Sequence, residues 1–102
     1  MITTVGTAML GQNYSLICSV SGADSLSPTI TYHWYNENTN PRSQVGTTST
    51  YTFPHLRLYH AGRYTCEVMI TSLYINRDLH QSEMLDITVQ SMLYNYVNLE
   101  NL

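Results

Sequence analysis

Lysine is absent from this chain of 102 residues, and the four arginines, Arg42, Arg57, Arg63 and Arg77, do not cluster. The formal net charge is -3. Binding of nucleic acid or an anionic membrane surface needs a basic footprint, and none is present. Charged residues of both signs make up only 11% of the chain, which suits an extended sheet protein with a hydroxyl- and amide-rich surface, and nine tyrosines with dispersed Leu, Ile and Val disfavour intrinsic disorder. No apolar run approaches the length needed to span a bilayer. No basic and apolar leader precedes the first patterned segment, so Met1 reads as the start of a piece excised from a longer secreted protein. Glycine-rich phosphate loops, internal repeats and low-complexity tracts are missing too, and helical periodicity is absent from the body of the chain.

What the chain has instead is serine, threonine, asparagine and nine tyrosines, arranged with a period of two. In "NYSLICSV", Asn13 to Val20, one face carries Tyr14, Leu16, Cys18 and Val20. In "TITYHWY", Thr29 to Tyr35, it carries Ile30, Tyr32 and Trp34. "TYTF", Thr50 to Phe53, is short, with Leu56 following as a core anchor. "RYTCEVMI", Arg63 to Ile70, groups Tyr64, Cys66 and Val68, and "EMLDITV", Glu83 to Val89, groups Leu85, Ile87 and Val89. Each run is rich in β-branched or aromatic residues and reads as a half-buried strand. "TVGTAMLG", Thr4 to Gly11, reads as an edge strand interrupted by glycine. "SGADSLSP" (Ser21–Pro28) and "NENTNPRSQVG" (Asn36–Gly46) carry the punctuation of turns. One domain is expected over residues 1–90. Residues 91–102 form a C-terminal tail, whose pattern fits a longer last strand, a short helix or the start of a linker to a following domain.

The two cysteines, Cys18 and Cys66, lie mid-run on different strands, 48 positions apart. Such a pair can be two free core thiols or a bridge between sheets. Trp34 between them and Tyr64 two places before the second favour the bridge, and a bridge implies an oxidising compartment. Here the sequence resembles the immunoglobulin superfamily over about residues 3–90. The residues that carry the likeness are "GQNYSLIC" (Gly11–Cys18), Trp34, the Tyr51, Phe53 and Leu56 series, and "AGRYTC" (Ala61–Cys66). The resemblance implies an all-β Greek-key sandwich with one inter-sheet disulfide, Cys18 to Cys66, and Trp34 packed against it. It gives Gly62 and Tyr64 to the corner between the family's strands E and F, with the Tyr64 hydroxyl bonded back to backbone near His60. The family usually has aspartate where this chain has His60, paired with a basic residue that "SQVGTTS" (Ser43–Ser49) does not supply. The salt bridge is therefore not expected. The 32-residue path from Trp34 to Cys66 leaves little room for the two extra strands of a variable domain, so an intermediate or constant-like subtype is expected.

Chemistry that turns over has little support. His33, His55, His60 and His80 lie at irregular spacings, no serine has a base and an orienting acid in view, and no catalytic, cofactor or metal residue is assigned. His33 should point away from the core because Trp34 must point into it. "NYS", Asn13 to Ser15, is an N-glycosylation acceptor, with Asn13 projecting outward because Tyr14 projects inward. Tyr35, Tyr59 and Tyr74 are the tyrosines least absorbed by the alternation and are the candidate partner-binding side chains. The resemblance implies a non-enzymatic recognition module in the extracellular part of a cell-surface receptor or adhesion protein. Receptor tyrosine kinases are among the proteins that carry such domains. The partner is expected to be a protein, either another chain or a second copy, met through a sheet face or the long loops between strands B and C and between F and G. A spacer domain and a secreted immune-type binder are the competing readings. The whole protein is expected to be membrane-anchored.

Overall fold

Alternation of apolar and polar residues with a period of two cannot bury its apolar side in a single sheet, and two sheets close over one core. In the computed structural model, residues 1–20, 29–71 and 79–91 are described. They form seven strands: β1 (Ile2–Gly6), β2 (Tyr14–Cys18), β3 (Thr29–Asn36), β4 (Ser43–Gly46), β5 (Thr50–Phe53), β6 (Gly62–Thr71) and β7 (Leu79–Ile87). A three-stranded sheet in the order β1-β2-β5 faces a four-stranded sheet in the order β4-β3-β6-β7. Every ladder is antiparallel, and the chain changes sheet between β2 and β3, β4 and β5, and β5 and β6. This is the Greek-key sandwich expected from the sequence.

The inward faces match the alternation. Leu16 and Cys18 of β2, Trp34 of β3, Phe53 of β5, Tyr64, Cys66, Val68 and Ile70 of β6, Ile87 of β7 and the anchor Leu56 make a single buried cluster. A row of aromatic rings runs across it. Tyr51 lies 6.2 Å from Trp34, 4.8 Å from Phe53 and 6.1 Å from Tyr64, centroid to centroid.

Three features depart from the sequence reading. β1 begins at Ile2 rather than Thr4, and ends at Gly6, whose φ of +99° turns the chain out of the sheet. β7 begins at Leu79, four residues before the alternation becomes legible, because it follows β6 in register from Gly62↔Ile87 to Ile70↔Leu79. The stretch read as turn over Asn36–Gly46 ends in a strand, β4, paired with β3 through a register shift between Trp34 and Tyr35. β4 lies in the sheet that a constant-type domain leaves three-stranded, and the chain from β3 to β5 contains no second added strand of the variable type. The sequence "SLYINRDLHQ", Ser72–Gln81, reads as a lengthened route to the last strand, but its last three residues, Leu79 to Gln81, belong to β7. Residues 72–78 of it, the expected loop at Ser21–Pro28, the candidate Tyr74 and the tail beyond Ser91 lie outside the described residues.

Candidate functional site

The frame of the site is the bridge. Cys18 and Cys66 are joined as a disulfide with Cα atoms 6.5 Å apart, tying the middle of β2 to the middle of β6 across the core. Trp34 stands directly opposite Cys66 in the β3–β6 ladder and is fully buried. Its indole Nε1–H donates to the Thr48 carbonyl at 2.9 Å, which fixes the crossing from β4 to β5.

The corner before β6 is built from the stretch Arg57 to Tyr64, with Asn38 packed against it. Leu58–His60 makes one turn of 3-10 helix, and the buried Tyr64 hydroxyl donates to the His60 carbonyl at 2.8 Å. Burial, with Tyr51 beside it, pushes the Tyr64 phenol up to about 12, so the hydroxyl keeps its proton to donate. The His60 ring accepts at Nδ1 from the Arg57 backbone N–H at 2.8 Å. Partial burial, and secondarily the Arg57 charge, hold this imidazole below its ordinary value, and the neutral ring carries its proton on Nε2. Imidazole thus bonds to the turn's own backbone where the family's usual aspartate would meet a basic side chain. Gly62 has a φ of +133°, and a Cβ there would run into the Asn38 side-chain amide, whose Oδ1 accepts from the Arg63 N–H at 3.1 Å. Only glycine takes that backbone without strain.

Tyr64→Phe keeps the ring and deletes the hydroxyl, leaving the His60 carbonyl without its donor. The expected loss is about 1–3 kcal/mol in a urea or thermal melt. An unchanged midpoint would mean that the hydroxyl contributes nothing to the corner.

A model of the immunoglobulin domain family matches residues 3–89. The chain belongs to the immunoglobulin domain family. No match was found among curated proteins. An immunoglobulin domain with an inter-sheet disulfide fits an extracellular location, where such bridges form and persist.

On this immunoglobulin domain the two outer faces differ in chemistry. The four-stranded sheet presents Tyr35 and His33 from β3, Thr65, Glu67 and Met69 from β6, and His80, Ser82, Met84 and Asp86 from β7, following the register of the ladders. Arg42, entering β4, lies across the Tyr35 ring with Cζ 3.9 Å from the centroid. Its Nη1 donates to Glu37 Oε1 at 3.1 Å and its Nη2 to Glu67 Oε1 at 2.7 Å. The buried Thr65 hydroxyl donates to the same Glu37 oxygen at 2.9 Å. The hydrogen bond from Arg42, then that from Thr65, lower the Glu37 carboxyl, and the bonds to Glu67 and Glu37 raise the Arg42 guanidinium. Each exposed pair alone contributes little. Together they hold the Arg42 guanidinium over the Tyr35 ring. Beside this network lies a groove of about 300 Å³ between β3, β6 and β7, lined by His33, Glu67, Met69, His80 and Ser82 among others. Arg63 and Asp86 pair across β6 and β7 at 2.9 Å.

Of the candidate tyrosines, Tyr35 is half-buried under Arg42, its ring 6.4 Å from that of His33. His33 occupies the outer side, as its place beside Trp34 requires. Tyr59 is 80% exposed on the 3-10 turn and touches His60, away from the Tyr35 network. Asn13 is exposed at the entry to β2. Sequence reasoning did not single out Arg42, Glu37 or Glu67. Their partners lie five and 25 positions away, and only the pairing of β3 with both β4 and β6 brings them together. Among the described residues no group of three metal-ligating side chains converges.

Proposed function

We propose that this domain is an extracellular recognition module of a cell-surface receptor or adhesion protein. It binds a protein partner without turnover, through the outer face of the sheet β4-β3-β6-β7. The observation that supports this reading most is Arg42, held over the Tyr35 ring by Glu37 and Glu67. Arginine and tyrosine are enriched in binding hot spots, and an arginine already tethered by two carboxylates gives up less side-chain entropy on docking than a free one. The adjoining groove offers a partner side chain a partly apolar recess walled by Met69, with polar groups from His33, Glu67 and Ser82 at its rim. The opposite sheet offers no comparable constellation of charge and aromatic surface. These features support recognition through a sheet face, the first of the two sites the sequence left open.

The test is a multivalent form of the domain screened against an array of cell-surface ectodomains, this chain included. A specific partner is expected, with affinity reduced at least tenfold by Arg42→Ala and by Tyr35→Ala, while both variants melt within a few degrees of the parent. Binding that survives both changes but is lost with Tyr59→Ala would move the site to the 3-10 turn. Failure to bind any ectodomain, a second copy included, would remove the recognition reading and leave the spacer.

A further inference from the structure

The three strands β1, β2 and β5 contain no aspartate, glutamate, lysine or arginine. Their outward side chains fall into two rows set by the ladders, Val5–Ser15–Thr52 and Thr3–Ile17–Thr50. Within the first row the Ser15 and Thr52 hydroxyls bond to each other at 2.9 Å, and Val5 is 56% exposed. β1 is also an edge strand, four of its five residues exposed, with neither lysine nor proline to discourage pairing. Glu83 meets this edge at its first residue, where its carboxylate accepts from the Ile2 N–H and pairs with the Met1 ammonium at 3.0 Å. An uncharged face ending in the exposed remainder of such an edge is a template for a second chain, and soluble sandwiches usually blunt such edges. Nothing in the side chains of these strands does so.

One residue beside them supplies another means. Asn13 is exposed and stands two positions before Ser15, so it projects to the same side, with Ile17 roughly 14 Å further along the strand. The triplet Asn13–Tyr14–Ser15 is the only N-glycosylation acceptor in the 102 residues. The local backbone holds Asn13 against the end of β1, because a Cβ on Gly6 would lie 2.6 Å from the Asn13 carbonyl oxygen. That approach is open only to glycine, and Gly6 sits at a φ of +99°.

We propose that Asn13 carries an N-linked glycan that covers the outer face of β1-β2-β5 and its free edge, prevents that side from pairing with a second copy, and leaves the Arg42 face for recognition. The inference rests on the extracellular reading, since the glycan is attached in the secretory pathway. The donor is a lipid-linked oligosaccharide pyrophosphate. The Asn13 amide nitrogen forms a bond to the anomeric carbon, the bond from that carbon to the pyrophosphate oxygen breaks, the lipid pyrophosphate leaves, and the amide proton passes to a base of the transferase.

The experiment secretes the full chain from animal cells and measures intact mass before and after peptide-N-glycosidase. The expected result is loss of one glycan, conversion of Asn13 to aspartate, and no glycan on Asn13→Gln. Sedimentation then compares the glycosylated protein with the enzymatically released protein, which needs no substitution, and with Asn13→Gln. The bare forms are expected to self-associate at concentrations at least tenfold lower. Val5→Lys in the bare protein should restore the monomer by placing a charge on the edge. A folded, disulfide-bonded product without a glycan would overturn this inference while leaving the extracellular reading intact. A product retained in the cell with both thiols free would overturn both. A glycan whose removal leaves self-association unchanged would refute its covering role.

Discussion

A chain in which Cys18 and Cys66 are both replaced by alanine is expected to lose about 4 kcal/mol of stability. The bridge closes a loop of 48 positions, and the chain-entropy account of a crosslink of that length gives this figure. Domains of this size have a total stability of roughly 5–15 kcal/mol, so the alanine protein should unfold at low urea. Its denatured state is freer to expand, so the slope of the urea transition should also rise. Intact mass with and without reductant should differ by two hydrogens in the parent. Two thiols that alkylate in the unreduced, folded parent would overturn the prediction, and with it most of the support for an extracellular location.

That bridge was legible in the sequence because its signals are local and redundant. Each cysteine sits on the apolar side of an alternating run, and Trp34, Gly62 and Tyr64 occupy places that the family resemblance also assigns. The buried faces of β2, β3 and β6 were legible for the same reason: a one-residue slip would have exposed Leu16, Trp34 or Val68 to water. β4 was not. Its four residues, Ser43–Gly46, contain one apolar side chain, Val45, in a stretch dense with turn formers. The strand exists because β3 offers it a ladder, and a propensity this weak yields to tertiary pairing.

The candidate site divides along the same line. Tyr35 could be placed on an outer face from its neighbour Trp34, since alternation alone decides that. Its cover could not. Arg42 reaches the Tyr35 ring only because the chain turns back from β3 into β4, and its second carboxylate, Glu67, arrives on β6 from 25 positions further along. No spacing in the sequence marks that triad. The absence of charge from β1, β2 and β5 was readable from the first, but its meaning depended on knowing that these three strands share one sheet and that Asn13 borders it.

Trp34→Ala is expected to cost about 3–5 kcal/mol, the largest loss for any single residue in the domain. Trp34 is among the largest fully buried side chains, and it touches each structural device at once. It faces Cys66 across the ladder, lies 6.2 Å from the Tyr51 ring, and donates to Thr48 in the crossing between sheets. Alanine removes the ring, and a rigid disulfide on one side limits how far the walls can collapse into the space. The penalty should therefore fall in the upper part of the range for buried aromatics. Trp34→Phe separates packing from hydrogen bonding. It keeps an aromatic ring against Tyr51, loses some volume and deletes the indole N–H that donates to the part-buried Thr48 carbonyl. About 1–2 kcal/mol is expected for it. Urea midpoints of the three proteins measure both steps, and Trp34→Phe remains measurable if Trp34→Ala does not fold. A Trp34→Phe loss of 3 kcal/mol or more would assign the dominant role to the bond to Thr48, and a Trp34→Ala loss below about 1.5 kcal/mol would mean that the indole does not fill the centre of the sandwich.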